Sequence, residues 1–107
     1  MTKLVIGKNV TTIGDKAFYG CTKLKNATIG HGVKKIGKQA FYNCKAMKNL
    51  VISTSKLKTS AIGSKAFTKM GASNYKKLVV KVPKKKLSAY KKMLKKKVLS
   101  YKAKIKK

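Results

Sequence analysis

The stretch "IGDKAFYGCTKL", Ile13 to Leu24, returns 23 residues later as "IGKQAFYNCKAM", Ile36 to Met47. Between the copies the apolar residues hold and mainly the others change. Working outward, Ile6, Val10, Ile13, Gly14, Ala17, Phe18, Tyr19, Cys21 and Leu24 recur as Ile29, Val33, Ile36, Gly37, Ala40, Phe41, Tyr42, Cys44 and Met47. A looser third copy holds Ile52, Leu57, Ile62, Gly63, Ala66, Phe67, Thr68 and Met70, with three extra residues between Ile52 and Ile62 inside "STSKLKTSA". A fixed period in the twenties predicts a solenoid in which each coil buries its apolar side chains against its neighbours. Inward positions must stack on the same positions one coil away, whereas outward positions need only be soluble.

Each coil also carries a strand signal. The spacing L-x-x-L-x-L occurs at Met1/Leu4/Ile6, Leu24/Ala27/Ile29, Met47/Leu50/Ile52 and Tyr75/Leu78/Val80, at intervals of 23, 23 and 28 residues. Its last part alternates, as a half-buried strand should. The A-F-Y stretch has helix-compatible spacing. Asp15 and Ser64 stand where an N-cap would, with Lys38 in that slot of the second copy. One short helical turn per coil is therefore expected at Asp15–Gly20, Lys38–Asn43 and Ser64–Lys69, on the side opposite the strand.

From Pro83 the text changes. "VPKKKLSAYKKMLKKKVLSYKAKIKK" places Leu87, Tyr90, Leu94 and Val98 on one helical stripe surrounded by Lys, with Pro83 at the entrance, where its missing N–H costs little. A basic helix over Lys84–Lys97 is predicted, its stripe covering the end of the stack. The alternation of Tyr101, Ala103 and Ile105 fits a last short strand.

The pattern resembles the BspA-like type of the leucine-rich repeat family, found in bacterial and protozoan surface proteins. The residues that carry the resemblance are the four strand motifs, "VTTIGDKAFYGCTKL" (Val10 to Leu24) and "VKKIGKQAFYNCKAM" (Val33 to Met47). It covers about residues 1–82. The third copy departs: Met70 replaces the cysteine, Thr68 the tyrosine, and "MGASNYKK" lengthens the return to the next strand. The resemblance implies an α/β repeat solenoid, a short leucine-rich-repeat fold with coils starting near residues 1, 24, 47 and 75. Residues 83–107 would form a capping amphipathic helix and tail. It also implies a cell-surface or extracellular location. Met1 already occupies a strand position, so either the first coil is exposed or the chain ends a longer surface protein.

Charge sets this chain apart from an ordinary globular domain. Its 107 residues include 29 Lys, no Arg, one acid (Asp15) and one His (His31), a net charge of +28. A folded chain of this size exposes roughly 6,000 Å², which puts neighbouring ammonium groups about 14 Å apart, beyond the roughly 8 Å screening length at physiological salt. Folding is thus compatible with the charge in salt, and self-repulsion grows as salt is removed. Such a surface attracts polyanions without selecting among them, or serves only as a solvated, aggregation-resistant coat. Specific nucleic-acid recognition is disfavoured, because lysine lacks the planar fork that arginine offers to bases and phosphates. No apolar run approaches the roughly 20 residues of a membrane span, and no signal-peptide core is visible at the start.

Catalytic and metal sites find little support. Cys21 and Cys44 occupy one slot in successive coils and Met70 fills it in the third, the pattern of a small buried apolar residue. With coils about 4.8 Å apart a disulfide between them stays sterically open. A zinc site would draw its ligands in closer pairs. His31 falls in a turn after a strand and reads as a solvated loop residue. One Asp and one His cannot form a carboxylate dyad, and no phosphate-binding or nucleophile-elbow motif is present. The expectation is a protein that is not an enzyme and takes no cofactor or metal. Phe18, Phe41 and Phe67 read as stacked core; Tyr19 and Tyr42 beside them reach the surface. The basic helix has an alternative use, docking on an anionic membrane or in a calmodulin-like groove.

A partner would meet the outward strand positions, Lys3, Val5, Asn26, Thr28, Asn49, Val51, Lys77 and Val79. They form an apolar column of Val5, Thr28, Val51 and Val79 flanked by Lys3, Asn26, Asn49 and Lys77, although Val and Thr are also simply good strand residues. The sequence reading is noncatalytic binding or adhesion through this face, to a protein or a cell-wall glycan. Electrostatic attraction to nucleic acid, teichoic acid or anionic membrane is the alternative.

Overall fold

The computed structural model describes residues 2–73, 77–96 and 104–106. Five strands form one parallel sheet in the order β1 (Lys3–Val5), β3 (Asn26–Ile29), β5 (Asn49–Ile52), β6 (Val79–Lys81) and β7 (Lys104–Lys106). Each repeat unit opens with one of these strands and the next strand joins it in the same direction, so successive units pack their apolar positions on one another. Leu4, Ala27, Leu50, Val80 and Ile105 form one inward row across the sheet. Two shorter strands, β2 (Thr12–Ile13) and β4 (Lys35–Ile36), pair in parallel on a second side, extended by a bridge between Ile36 and Ile62. With only two residues each, they give no alternation that the sequence could have shown.

The expected helical turns are corrected. Asp15–Gly20, Lys38–Asn43 and Ser64–Lys69 are chains of hydrogen-bonded turns. In the first unit the Ala17 N–H donates to the Gly14 carbonyl and the Cys21 N–H to the Phe18 carbonyl, both at 3.2 Å. The third residue of each turn, Lys16 (φ 56°) and Gly20 (φ 70°), is left-handed; Gln39, Asn43, Lys65 and Lys69 repeat this at φ 55–61°. A single residue in that conformation costs about 1–2 kcal/mol when it has a Cβ. The return is a second direction of bonding. The N–H groups of Lys16, Phe18 and Gly20 reach the carbonyls of Lys38, Ala40 and Tyr42 at 2.8–2.9 Å, and those of Gln39, Phe41 and Asn43 reach Ser64, Ala66 and Thr68 at 2.8–3.0 Å. A helix would have closed these bonds within one unit; the turns spend them between units.

Asp15 is accordingly no helix cap. Its carboxylate accepts the Lys38 N–H of the following unit at 2.8 Å. The three phenylalanines stack as expected, with ring centroids 5.3 Å apart for Phe18 and Phe41 and 5.9 Å for Phe41 and Phe67.

The extra residues of the third unit fold into a 3-10 turn at Thr59–Ala61. Thr54, fully buried, donates its hydroxyl to the Val33 carbonyl at 2.7 Å and accepts the Lys56 N–H at 3.1 Å. Helix α1 (Leu87–Lys96) lies between β6 and β7 in the chain and follows a 3-10 turn at Lys84–Lys86 that begins after Pro83. It buries Tyr90, Met93 and Leu94 and half-buries Leu87. The Tyr90 hydroxyl donates to the Thr54 carbonyl at 2.8 Å and accepts the Leu57 N–H at 3.2 Å, which joins the helix to the insertion. Ile105 lies in β7, while Tyr75, Val98, Tyr101 and Ala103 fall outside the described residues.

Candidate functional site

Alternation along a strand sends every second side chain away from the core. All eight candidate positions escape full burial: Lys3, Val5, Asn26, Asn49 and Lys77 are exposed, and Thr28, Val51 and Val79 are partly so. Their arrangement in rows differs from the expected one at the fourth strand. Asn49 pairs with Val79 and Val51 with Lys81, two residues later than the motif spacing predicts. Leu78, Val80 and Val82 all point inward and are buried, so alternation alone permits either register. The long return before β6 allows the later one, and Val82 takes the slot that Ile29 and Ile52 hold.

The outward face therefore has two rows: Lys3, Asn26, Asn49 and Val79 in register, and beside them Val5, Thr28, Val51, Lys81 and Lys106. The expected continuous apolar column is interrupted by Lys81, and Lys77 precedes the strand instead of flanking it. Lysines stand at both ends of the face, with uncharged residues across its middle. There the Asn49 side-chain amide donates to the Asn26 side-chain carbonyl at 2.9 Å, holding both in one orientation. Lys81 and Lys106 are the residues that sequence spacing missed; the signal for them was the inward set Leu78, Val80 and Val82, which the motif treated as only two positions.

An aromatic pair sits on the turn side, with Tyr19 exposed and Tyr42 partly buried. Tyr19 and Tyr42 stack at 5.0 Å with rings 7° from parallel, and the Lys16 and Lys69 ammonium groups lie 5.6 and 6.0 Å from their centroids. At the first unit, Val5, Ile6, Val10, Ile13 and Phe18 line an open groove of about 280 Å³.

The remaining chemical candidates stay apart from these surfaces. Cys21 and Cys44 are free thiols in successive units. The Cys44 thiol donates to the Phe18 carbonyl at 3.2 Å, and burial, reinforced by the adjacent Cys21 thiol, pushes its pKa up to about 12. A thiol so placed is a poor nucleophile. His31 is exposed in the turn after β3. Among the described residues, no three His, Cys, Asp or Glu side chains gather where they could hold a metal ion. No helix among them is long and apolar enough to cross a membrane.

Comparison with known families matches residues 1–106 to the BspA type leucine rich repeat region, in six copies. The match runs past the 1–82 stretch that carries the resemblance and includes α1 and β7. No match to a curated protein or to a solved structure was found. The repeated strand rows, the turn stack and this match agree: the chain belongs to the BspA-type leucine-rich repeat family.

Proposed function

We propose that this protein is a noncatalytic, surface-associated repeat module that binds another protein or a cell-wall glycan through the outward face of its five-stranded sheet. In this reading the units form a short solenoid over residues 1–82, and the segment 83–107, with α1 across the third unit, closes one end. The observation that carries the reading is the mixed outward face. Asn26, Asn49, Thr28, Val51 and Val79 offer polar and apolar contact in adjoining rows, and a contact face built this way combines a dry centre with a polar rim. The bacterial surface location follows the family's general habit. An electrostatic binder of nucleic acid, teichoic acid or anionic membrane is the second reading, favoured by 29 Lys against one acid.

Salt separates the two. Binding of the purified protein to cell-wall and host-cell surface fractions through the sheet should survive salt of about 0.5 M, where the screening length is about 4 Å, and fail on Val51→Asp. Attraction to duplex DNA or to phosphatidylglycerol vesicles should fall log-linearly with salt and ignore that substitution. Loss of all binding at high salt with Val51→Asp silent would refute the sheet-face reading.

A further inference from the structure

A hollow of about 120 Å³ lies where the strands of the second and third units begin. Buried Met47 and half-buried Ala46 line it, together with Lys25, Lys45, Lys48 and Lys77. The surface it exposes is almost wholly carbon. All four lysines are exposed, so their stems lie along the apolar surface while their ammonium groups stay in water.

Backbone pairing explains why the charges gather there. Asn26 and Asn49 are in register at the heads of β3 and β5. Just before them, the Lys48 N–H donates to the Lys25 carbonyl at 2.8 Å, which sets Lys25 and Lys48 side by side. Like charges so placed repel. No carboxylate answers them, because Asp15, the only acidic side chain, accepts the Lys38 N–H among the turns. The nearby carbonyls are engaged as well. That of Lys25 accepts from Lys48 and Asn49, that of Lys45 from Ser73 and that of Lys48 from Val79, all at 2.8–3.1 Å. The polar groups offered to a ligand are therefore mainly ammonium donors, set around an apolar hollow.

We infer that this hollow docks an acidic peptide segment of a protein partner, with one apolar side chain seated in it and carboxylates on either side against Lys25, Lys48 and Lys77. The inference rests on the reading of the chain as a protein-binding module and gives that module an anchor point, next to Asn26 and Asn49 at the edge of the outward face. The hollow has the volume of about four water molecules, room for a side chain the size of leucine. A phosphate polyanion carries its charge on hydrated groups and brings no apolar side chain to fill the space. An extended peptide supplies both, because successive residues stand about 3.3 Å apart and carboxylates can flank the apolar anchor.

Titration of the protein with the peptide acetyl-Glu-Asp-Leu-Glu-Asp-amide, followed by amide chemical shifts at physiological salt, tests the inference. Shifts should concentrate at Ala46, Met47, Lys48 and Ser73. Serine in place of the peptide's leucine should weaken binding roughly tenfold or more, the effect of burying that side chain. Lys25→Gln combined with Lys48→Gln should weaken it roughly fivefold. Lys91→Gln combined with Lys92→Gln, an equal loss of charge from exposed positions on α1, should weaken it less than about twofold. Shifts spread over the lysines at large, equal affinity of the two peptides, or equal losses in the two double variants would overturn the inference. Tripolyphosphate giving the same confined shifts at equal affinity would assign the hollow to phosphate anions and overturn it too. Val51→Asp should leave the ratio between the leucine and serine peptides unchanged. Failure of the sheet-face reading is thus read on cell-surface binding, and failure of this inference on the peptide ratio.

Discussion

Ala17 and Phe18 of the first unit and Ala40 and Phe41 of the second are the same residues in the same turn. Ala17 nevertheless meets solvent and Phe18 is only partly covered, while Ala40 and Phe41 are fully buried. The residues do not differ; their neighbours do. Phe41 has a ring on each side, at 5.3 and 5.9 Å, and Phe18 has one. Burial in this fold is conferred by the stack, one unit at a time, so the cost of a substitution depends on how many neighbours its unit has.

The largest expected effect uses that pair directly. Phe41→Ala opens a cavity between two units and should cost about 3–5 kcal/mol in denaturant unfolding, whereas Phe18→Ala, half of whose surroundings are already open, should cost markedly less. Equal losses would break the comparison. Next comes the join between the insertion and α1. Tyr90→Phe removes the donor to Thr54 and the acceptor for Leu57 and leaves both backbone groups buried, for an expected loss of about 1–3 kcal/mol, read from the same curves. Asp15→Ala should be smaller, on the order of 1 kcal/mol, because the carboxylate satisfies a single exposed N–H of the next unit.

Cysteine chemistry sharpens the contrast between units. Cys21, in the open first unit, is partly exposed and should alkylate with iodoacetamide at neutral pH; Cys44 should resist until the protein is unfolded. The folded Cys44 pKa of about 12 lies above its ordinary 9.0, so above pH 9 the unfolded chain holds fewer protons than the folded one. The Cys44 contribution to stability is therefore full below pH 9 and declines as pH rises toward 12. Tyr90, also raised by burial despite the opposing Leu57 N–H, acts in the same direction. Replacing Cys44 with Ser should flatten that alkaline decline in a stability–pH series. The mildest handle is salt. At +28 the folded chain repels itself, so its melting temperature should climb as ionic strength rises from about 10 to 150 mM, where the screening length falls from about 30 to 8 Å.

Legibility in the sequence followed the number of times a feature was repeated. The inward rows and the phenylalanine stack were readable because three copies agree at Ile6/Ile29/Ile52 and at Phe18/Phe41/Phe67. The turns were misread as helix because adjacent Ala, Phe and Tyr suit either structure. The contrary signal was Gly20 and Asn43 in one slot, two residue types that tolerate left-handed backbone; Lys69 in the third copy hid it. The register of β6 could not be read, since a long return follows Met70 and three inward residues in alternation fit two pairings. For the candidate site, outwardness was legible from alternation, while the row in which Lys81 joins Val51 required the actual pairing.

Ring-to-ring nuclear Overhauser contacts in the native protein test the stacking claim most directly. Cross-peaks should join Phe18 to Phe41 and Phe41 to Phe67 and leave Phe18 and Phe67 unconnected. Absence of the first two, or Overhauser cross-peaks from the Phe41 ring to bulk water, would contradict the account.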